Sequence, residues 1–185
     1  CSNMCHESTS VALSESIGLG KATIRLEDLE NTDLIIIIGQ NPGSCAPRMM
    51  SSLKKAKEKG ARIIAVNPLP EAGLMNFSDP NPEHYDSLVK FPFALLSNQA
   101  TPLADLYLPI RIGGDMAFLK GVMKTLYERE KYSPAPIFDH QFIDAKTEGF
   151  QDFIANLETI DWEIILEQSG LTKQQIEEAA EMYIG

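Results

Sequence analysis

The hydrophobic pattern of the chain predicts strands that alternate with helices. The uninterrupted apolar run LIIII at Leu34–Ile38 and the segment ARIIAVNP at 61–68 are typical of strands buried on both faces of a parallel sheet. Apolar residues between Met49 and Ala56 recur at helical spacing, and Gly60 marks the end of that helix. The first half of the chain therefore predicts a strand, a helix and a second parallel strand.

The same alternation continues in the second half. The segment ADLYLPI at 104–110 predicts a third strand, and a helix follows over 116–130. The tail from Gly149 predicts two more helices, and the last begins near Thr172, where Thr172 and Gln175 match a capping box. Near the other end, the polar residues 8–10 predict the cap of a helix that starts at Val11. Residues 69–88, rich in Pro, Asn and Asp, predict a loop.

This order of elements predicts an α/β fold: a Rossmann-like, doubly wound, mainly parallel sheet with helices on both faces. We expect residues 1–185 to form a single α/β cofactor-binding domain in which residues 149–185 are a helical C-terminal extension. Because the chain starts at Cys1 rather than at Met and stops directly after a helical segment, we expect it to be a fragment of a larger enzyme.

Charge and cysteine content narrow the function classes. A net charge of −10 argues against a general nucleic-acid binder, which needs excess Lys and Arg, but it leaves room for a small phosphate-bearing cofactor. Three cysteines are too few for a disulfide framework and suit a reducing compartment, so we expect a cytoplasmic protein. No run approaches the roughly 18 apolar residues of a membrane span.

Three strand ends carry polar or glycine-rich loops, GQNPGS, NPLPEAG and RIGGD. Ligands of open α/β sheets bind beyond the carboxyl ends of the strands, so these loops are the candidate binding site. Each loop also has a plainer interpretation: a Gly-Pro turn, an Asn-Pro turn, and a helix cap at Asp115.

Cys5 and His6 form a second candidate site. A thiolate beside an imidazole can be a metal ligand, a nucleophile or neither, and a cysteine hydrolase is one alternative. Adjacent residues often point apart, and the Cys1–Cys5 spacing is not completed by a second metal-binding cluster.

Taken in order, several segments resemble one family: NMCHESTSVALSESIGLG, LEDLENTDLIIIIGQNPGSCAPRMMSSLKKAKEKGARIIAVNPLPEAGL, LPIRIGGDMAFLKGVMKTL, FIDAKTEGFQDF and SGLTKQQIEEAAEMY. The chain resembles the molybdopterin oxidoreductases, which include formate dehydrogenases, nitrate reductases and dimethyl sulfoxide reductases. The NMCHE segment is similar to one found in formate-dehydrogenase-like alpha subunits.

The resemblance implies a bis-molybdopterin guanine dinucleotide cofactor, with molybdenum or tungsten, held between several domains of the parent enzyme. This domain is then expected to bind one guanine dinucleotide. The residues that match the family's three loops are Gly39, Asn41, Ser44, Asn67, Pro68, Leu69, Arg111, Gly113 and Asp115. Asn67 to Leu69 replace the family's usual Asp-Pro-Arg.

The resemblance also implies catalytic roles for Cys5 and His6. Cys5 falls where formate dehydrogenases place the cysteine or selenocysteine that ligates molybdenum, and His6 falls at the adjacent histidine. Glu7-Ser8 follows where the family often has Gly-Pro. We expect the isolated domain to be inactive. Its expected partners are the remaining domains of the parent enzyme and an electron-transfer partner. A 4Fe–4S cluster is a candidate cofactor of the part of the enzyme that precedes Cys1. The alternative is a non-catalytic nucleotide-binding module in which Cys5 binds no metal.

Overall fold

The computed structural model of the chain describes residue 4, residues 6–77 and residues 101–185. The predictions made for Cys1, Cys5 and most of the loop at 69–88 lie outside the described residues. The helices are α1 (Glu7–Ile17), α2 (Leu26–Leu29), α3 (Pro42–Cys45), α4 (Pro47–Glu58), α5 (Ala72–Met75), α6 (Asp115–Glu130), α7 (His140–Lys146), α8 (Phe150–Thr159), α9 (Trp162–Ser169) and α10 (Lys173–Ile184). Within these ranges, no helix has the length and apolarity needed to cross a bilayer.

The strands are β1 (Leu34–Ile38), β2 (Arg62–Val66), β3 (Asn76–Phe77), β4 (Thr101–Pro102) and β5 (Leu106–Leu108). Three of them form a parallel sheet in the order β1-β2-β5, and β3 pairs with β4 in a separate antiparallel ladder. The third strand is shorter than the predicted 104–110, because pairing with β2 ends at Leu108 and Pro109 has no N–H to donate to a ladder. The carboxyl ends of the three parallel strands therefore lie side by side.

Two hydrophobic clusters cover the two faces of the sheet. Because successive strand residues point to opposite faces, Ile63 and Ala65 of β2 pack with α4, whereas Ile64 and Val66 pack with α6, α9 and α10. Burying one such large side chain completely stabilises the fold by about 1.5–3 kcal/mol. The predicted α/β class, with a parallel sheet and helices on both faces, is confirmed.

The C-terminal helices belong to this core. Gly121 of α6 gives them room, since a Cβ there would lie 3.0 Å from the Cγ2 atoms of both Ile165 and Ile176. The predicted capping box is confirmed: the Gln175 amide donates to the Thr172 hydroxyl at 3.3 Å, and the Thr172 amide donates to the Gln175 side chain at 2.9 Å.

Two predictions about the helices are wrong. The first helix begins at Glu7 rather than Val11, so residues 8–10 lie inside it, and the acidic Glu7 occupies the first turn, where the helix dipole favours a negative charge. The tail from Gly149 contains three helices instead of two. The extra boundary arises because Ile160 is extended, with ψ of 123°, which ends α8 before Trp162 starts α9.

Candidate functional site

The first candidate loop leaves β1 through Gly39. This residue has a left-handed backbone, with φ of 63°, and its amide donates to the Val66 carbonyl of β2 at 2.9 Å. Asn41 then precedes the one-turn helix α3, which the sequence did not predict, and its side-chain oxygen accepts from the Ser44 amide at 3.3 Å. The Ser44 side chain is exposed to solvent. The loop thus presents a hydroxyl and open backbone at the strand end.

The second candidate loop is tied down by the buried side chain of Asn67, which is 8% exposed. Its amide nitrogen Nδ2 donates to the Leu69 carbonyl at 2.7 Å and to Glu71 Oε2 at 3.3 Å. Its backbone amide donates to the Leu108 carbonyl of β5 at 3.2 Å. Asn67 therefore holds the turn together from inside, while Pro68 and Leu69 are exposed.

Two residues that the sequence reasoning missed complete this loop, Tyr107 and Glu71. The Tyr107 hydroxyl donates to the Asn67 carbonyl at 2.7 Å. Burial, and secondly the negative charge of Glu71, raise the pKa of Tyr107 above its usual 10.0, so the phenol remains a donor at neutral pH. The available signals were the lone hydroxyl in the strand sequence LYL and the lone acid in NPLPEAG.

The third candidate loop joins β5 to α6 and is anchored to α9. The Arg111 guanidinium donates from Nη1 to the Glu167 carbonyl at 2.7 Å, and the Arg111 amide donates to the Ser169 carbonyl at 2.8 Å. Gly113 follows with a left-handed φ of 82° and open space where a Cβ would lie. The interpretation of Asp115 as a helix cap is wrong, because Gly114 occupies the cap position and Asp115 is the first helical residue.

The start of α6 carries free backbone donors. The first amides of an α-helix have no partner within the helix. Among the described residues, no carbonyl or side chain accepts from the amides of Asp115, Met116 and Ala117. A 16-residue helix therefore presents N–H groups and the positive end of its dipole at this edge of the sheet.

The structure brings the three loops together. Gly43 and Gly73 pack backbone to backbone, since a Cβ on Gly43 would lie 2.6 Å from the Gly73 Cα, and this contact joins the first and second loops. The bonds from Asn67 to Leu108 and from Tyr107 to Asn67 join the second loop to β5. The candidate residues of all three loops consequently share the carboxyl edge of the sheet.

The other candidate site is only partly described. His6 is exposed at the position before α1, and Cys5 lies outside the described residues. No group of three His, Cys, Asp or Glu side chains suited to a metal ion occurs in the part of the chain that the structure describes. The roles assigned to Cys5 and His6 stay predictions.

The carboxyl edge also exposes large apolar side chains. Leu69 is 66% exposed, Ile112 is 92% exposed and Met116 is 68% exposed. Single exposed apolar residues are ordinary, but these three lie on the loops and helix start that form one edge of the sheet.

The chain is similar in sequence to known proteins of one family. The family model described as "Molybdopterin oxidoreductase" matches residues 1–145. The chain belongs to the molybdopterin oxidoreductase family. Protein YdeP of Escherichia coli is 46% identical to it over 187 residues, covering 99% of this chain and 24% of that protein. The alpha subunit of F420-dependent formate dehydrogenase 1 of Methanococcus maripaludis is 30% identical, covering 99% of this chain and 22% of the subunit.

The fold is shared with a solved structure. Acetylene hydratase from Pelobacter acetylenicus superposes with a TM-score of 0.69 at 18% identity, covering 98% of this chain and 20% of that one. At this identity the likeness shows the fold alone. The chain thus spans a quarter or less of the length of the relatives that it matches.

Proposed function

We propose that this chain is the domain of a formate-dehydrogenase-like molybdopterin oxidoreductase that binds one guanine dinucleotide portion of a bis-molybdopterin guanine dinucleotide cofactor. The observation that carries the proposal is the meeting of three polar loops at the carboxyl ends of β1, β2 and β5. This is the edge at which open α/β sheets bind nucleotides. Membership of the family supplies the class of cofactor, which implies molybdenum or tungsten.

The residues at this edge fit a ligand that carries phosphates, ribose and a base. Among the described residues, none beyond the chain neighbours of Gly39 and Gly113 has an atom within 4 Å of where a Cβ would lie, so a ligand can approach the backbone there. The amides at the start of α6 suit a phosphate oxygen. The Ser44 hydroxyl can donate to a phosphate, and the Asp115 carboxylate can accept from the amino group of a guanine.

We propose that the side chains of Asn67 and Arg111 hold the loops of the site in shape. Both amide hydrogens of Asn67 are directed at groups of its own loop, so the side chain acts by shaping the turn that carries Pro68 and Leu69. The Arg111 guanidinium holds the third loop against α9 through one of its five N–H groups, and the remaining donors suit a phosphate or a ring carbonyl. Asn41 shapes the first loop in the same way, by accepting from the Ser44 amide.

Cys5 completes the proposal as a ligand of the metal. A soft thiolate suits molybdenum or tungsten, and the adjacent His6 imidazole carries ring nitrogens that can form hydrogen bonds to the cofactor or substrate. The cofactor, when bound, supplies the electron-transfer chemistry. The chain's own residues position it, and a 4Fe–4S cluster elsewhere in the parent protein is part of the same proposal.

The exposed Leu69, Ile112 and Met116 support the presence of further domains. Apolar side chains gathered at one edge mark a surface that another protein segment covers, and the relatives are about four times as long as this chain. We therefore propose that the remaining domains close over this edge and that the isolated chain is inactive.

We also propose a cytoplasmic location for the protein, which the low cysteine count supports.

The test uses the full-length protein, produced in a host that makes the cofactor. We expect molybdenum or tungsten by elemental analysis and release of guanosine monophosphate on acid hydrolysis. Cys5→Ser should lower the metal content, whereas Cys45→Ser, at an exposed free cysteine, should not. Protein that contains neither metal nor nucleotide contradicts the proposal. Metal retention by Cys5→Ser, with turnover intact, supports a nucleotide-binding module in which Cys5 is no ligand.

A further inference from the structure

The end of β2 lacks the acid that dinucleotide-binding sheets usually place there to bind ribose hydroxyls. Asn67 occupies this position, and its side chain is buried and bonded within its own turn. The turn does contain an exposed carboxylate four residues later, Glu71. We infer that Glu71 is the residue that accepts hydrogen bonds from the ribose hydroxyls of the bound guanine nucleotide. The inference rests on the proposed function, and Glu71 is not among the residues that match the family's three loops.

The backbone of Glu71 is held in place from both sides. Its amide donates to the Leu69 carbonyl at 2.9 Å. Its carbonyl accepts from the amides of Leu74 and Met75, each at 3.0 Å, which makes Glu71 the residue from which α5 starts. A residue fixed in this way loses little further backbone freedom when a ligand binds, so its hydrogen bonds to a ligand are gained at low entropic cost.

The Glu71 side chain is oriented as well. Oε2 accepts from Asn67 Nδ2 at 3.3 Å, whereas no described residue donates to Oε1. The buried amide of Asn67 therefore holds one carboxylate oxygen of the exposed Glu71 and leaves Oε1 for a ligand hydroxyl. The Asn67–Glu71 pair places a carboxylate at a strand end from which the usual acid is absent.

Neighbouring contacts locate Glu71 between the loops of the candidate site. Its charge acts on the Tyr107 hydroxyl, which extends from β5 and donates to the Asn67 carbonyl. Two residues further on, Gly73 packs against the first loop, and a Cβ there would lie 2.5 Å from Asn41 Oδ1. The carboxylate thus lies at the same edge as the first and third loops, where a nucleotide that spans them would place its ribose. Asp115, another acid of this edge, is the first residue of α6, directly after the third loop, and suits the base.

The experiment compares two probes, guanosine monophosphate and its 2′,3′-dideoxy analogue, by calorimetric titration of the full-length protein purified without cofactor. A hydrogen bond to a charged group is strong enough to give the wild-type protein about a tenfold preference for the nucleotide with ribose hydroxyls. Glu71→Ala should abolish this preference. Glu71→Gln keeps one oxygen, which can accept from Asn67, and presents an uncharged NH2 group to the ligand, so it should retain only part of the preference. Glu178→Ala, at an exposed glutamate of α10, is the matched control and should retain all of it.

The ratio of the two affinities separates ligand contact from a structural role. If Glu71 only shaped the loop, Glu71→Ala would weaken both nucleotides alike and leave the ratio unchanged, which overturns the inference. A wild-type protein without preference overturns it too. If the wild-type protein neither binds guanosine monophosphate nor releases it from a native cofactor, the proposed function itself fails, and the inference fails with it.

Discussion

Gly43 and Gly73 approach each other so closely that neither position has room for a side chain. A Cβ on Gly43 would lie 2.6 Å from the Gly73 Cα and 2.8 Å from the Gly73 carbonyl oxygen. The atoms in the way belong to backbone, which cannot move aside as a flexible side chain can. The loop that follows β1 and the helix α5 that follows β2 are consequently held in one arrangement, and with them Asn41 and Glu71.

Gly43→Ala should therefore destabilise the protein. Forcing one extra methyl group into packed backbone costs about 1–3 kcal/mol, which we expect as a lower free energy of unfolding in urea titrations of the full-length protein. Gly185→Ala adds the same atom at a position where the Glu181 carbonyl oxygen would be 3.7 Å away, an ordinary contact distance, so it should leave the free energy unchanged. Equal stability of Gly43→Ala and wild type would mean that the two loops do not hold each other.

The sequence was most informative where apolar residues run without interruption. LIIII and RIIAV predict parallel strands buried on both faces, and both strands are present. Burial on both faces is confirmed for β2 but is wrong for β1, which lies at the end of the described sheet and leaves Ile36 exposed. Glycine and proline after these strands pointed to the loops of the candidate site for a local reason, since they permit turns that other residues resist.

The hydrogen-bond partners of the candidate side chains could not be predicted from the local sequence pattern. Arg111 donates to a carbonyl 56 residues away, and Asn67 depends on a tyrosine 40 residues away. Nothing in the motif RIGGD or in NPLPEAG specifies those partners, because they come from helix and strand packing. The same holds for Glu71. Its role as a candidate ligand residue follows from the hydrogen bond that it accepts from the Asn67 side chain, and the local sequence does not specify this bond.

Glu130, at the end of α6, accepts hydrogen bonds whose contribution to stability depends on pH. Burial favours the neutral carboxyl, but the amide of Phe138, the ring of His140 and the amide of Ile137 outweigh it, so the pKa of Glu130 is lowered from its usual 4.5. A lowered pKa in the folded state adds stability above the unfolded value, and that stability is lost as the pH falls through the folded pKa.

Glu130→Gln should accordingly destabilise the protein by about 1 kcal/mol at pH 7, since charged hydrogen bonds are replaced by neutral ones. The difference from wild type should disappear as the pH falls below 4.5, the usual value for a glutamate. Thermal unfolding of the full-length protein between pH 7 and pH 3 measures this, with Glu148→Gln, at an exposed glutamate, as the control. A difference that stays constant over the range would show that the Glu130 charge has no part in it.

Lys124 is a buried lysine of α6 whose hydrogen bonds hold α8 against α6. The residue is 9% exposed, and its Nζ donates to the carbonyls of Leu157 and Ile160 at 3.2 and 2.6 Å, at the end of α8. A positive charge suits the negative end of a helix dipole, and the last carbonyls of a helix lack partners within it.

Lys124→Met retains most of the side-chain volume but leaves the Ile160 carbonyl without its donor, and it leaves the Leu157 carbonyl with only the Ile160 amide at 3.4 Å. We expect a loss of about 1–3 kcal/mol in the free energy of unfolding, the cost of unsatisfied buried polar groups. The amides of α8 should also exchange with solvent faster than in wild type, because the helix is no longer held against α6. Lys120→Met makes the same change one turn earlier on α6, at a half-buried lysine, and should alter neither quantity. If both variants behaved alike, the loss would reflect the removal of a lysine from α6 in general, and the carbonyls of Leu157 and Ile160 would not depend on Lys124.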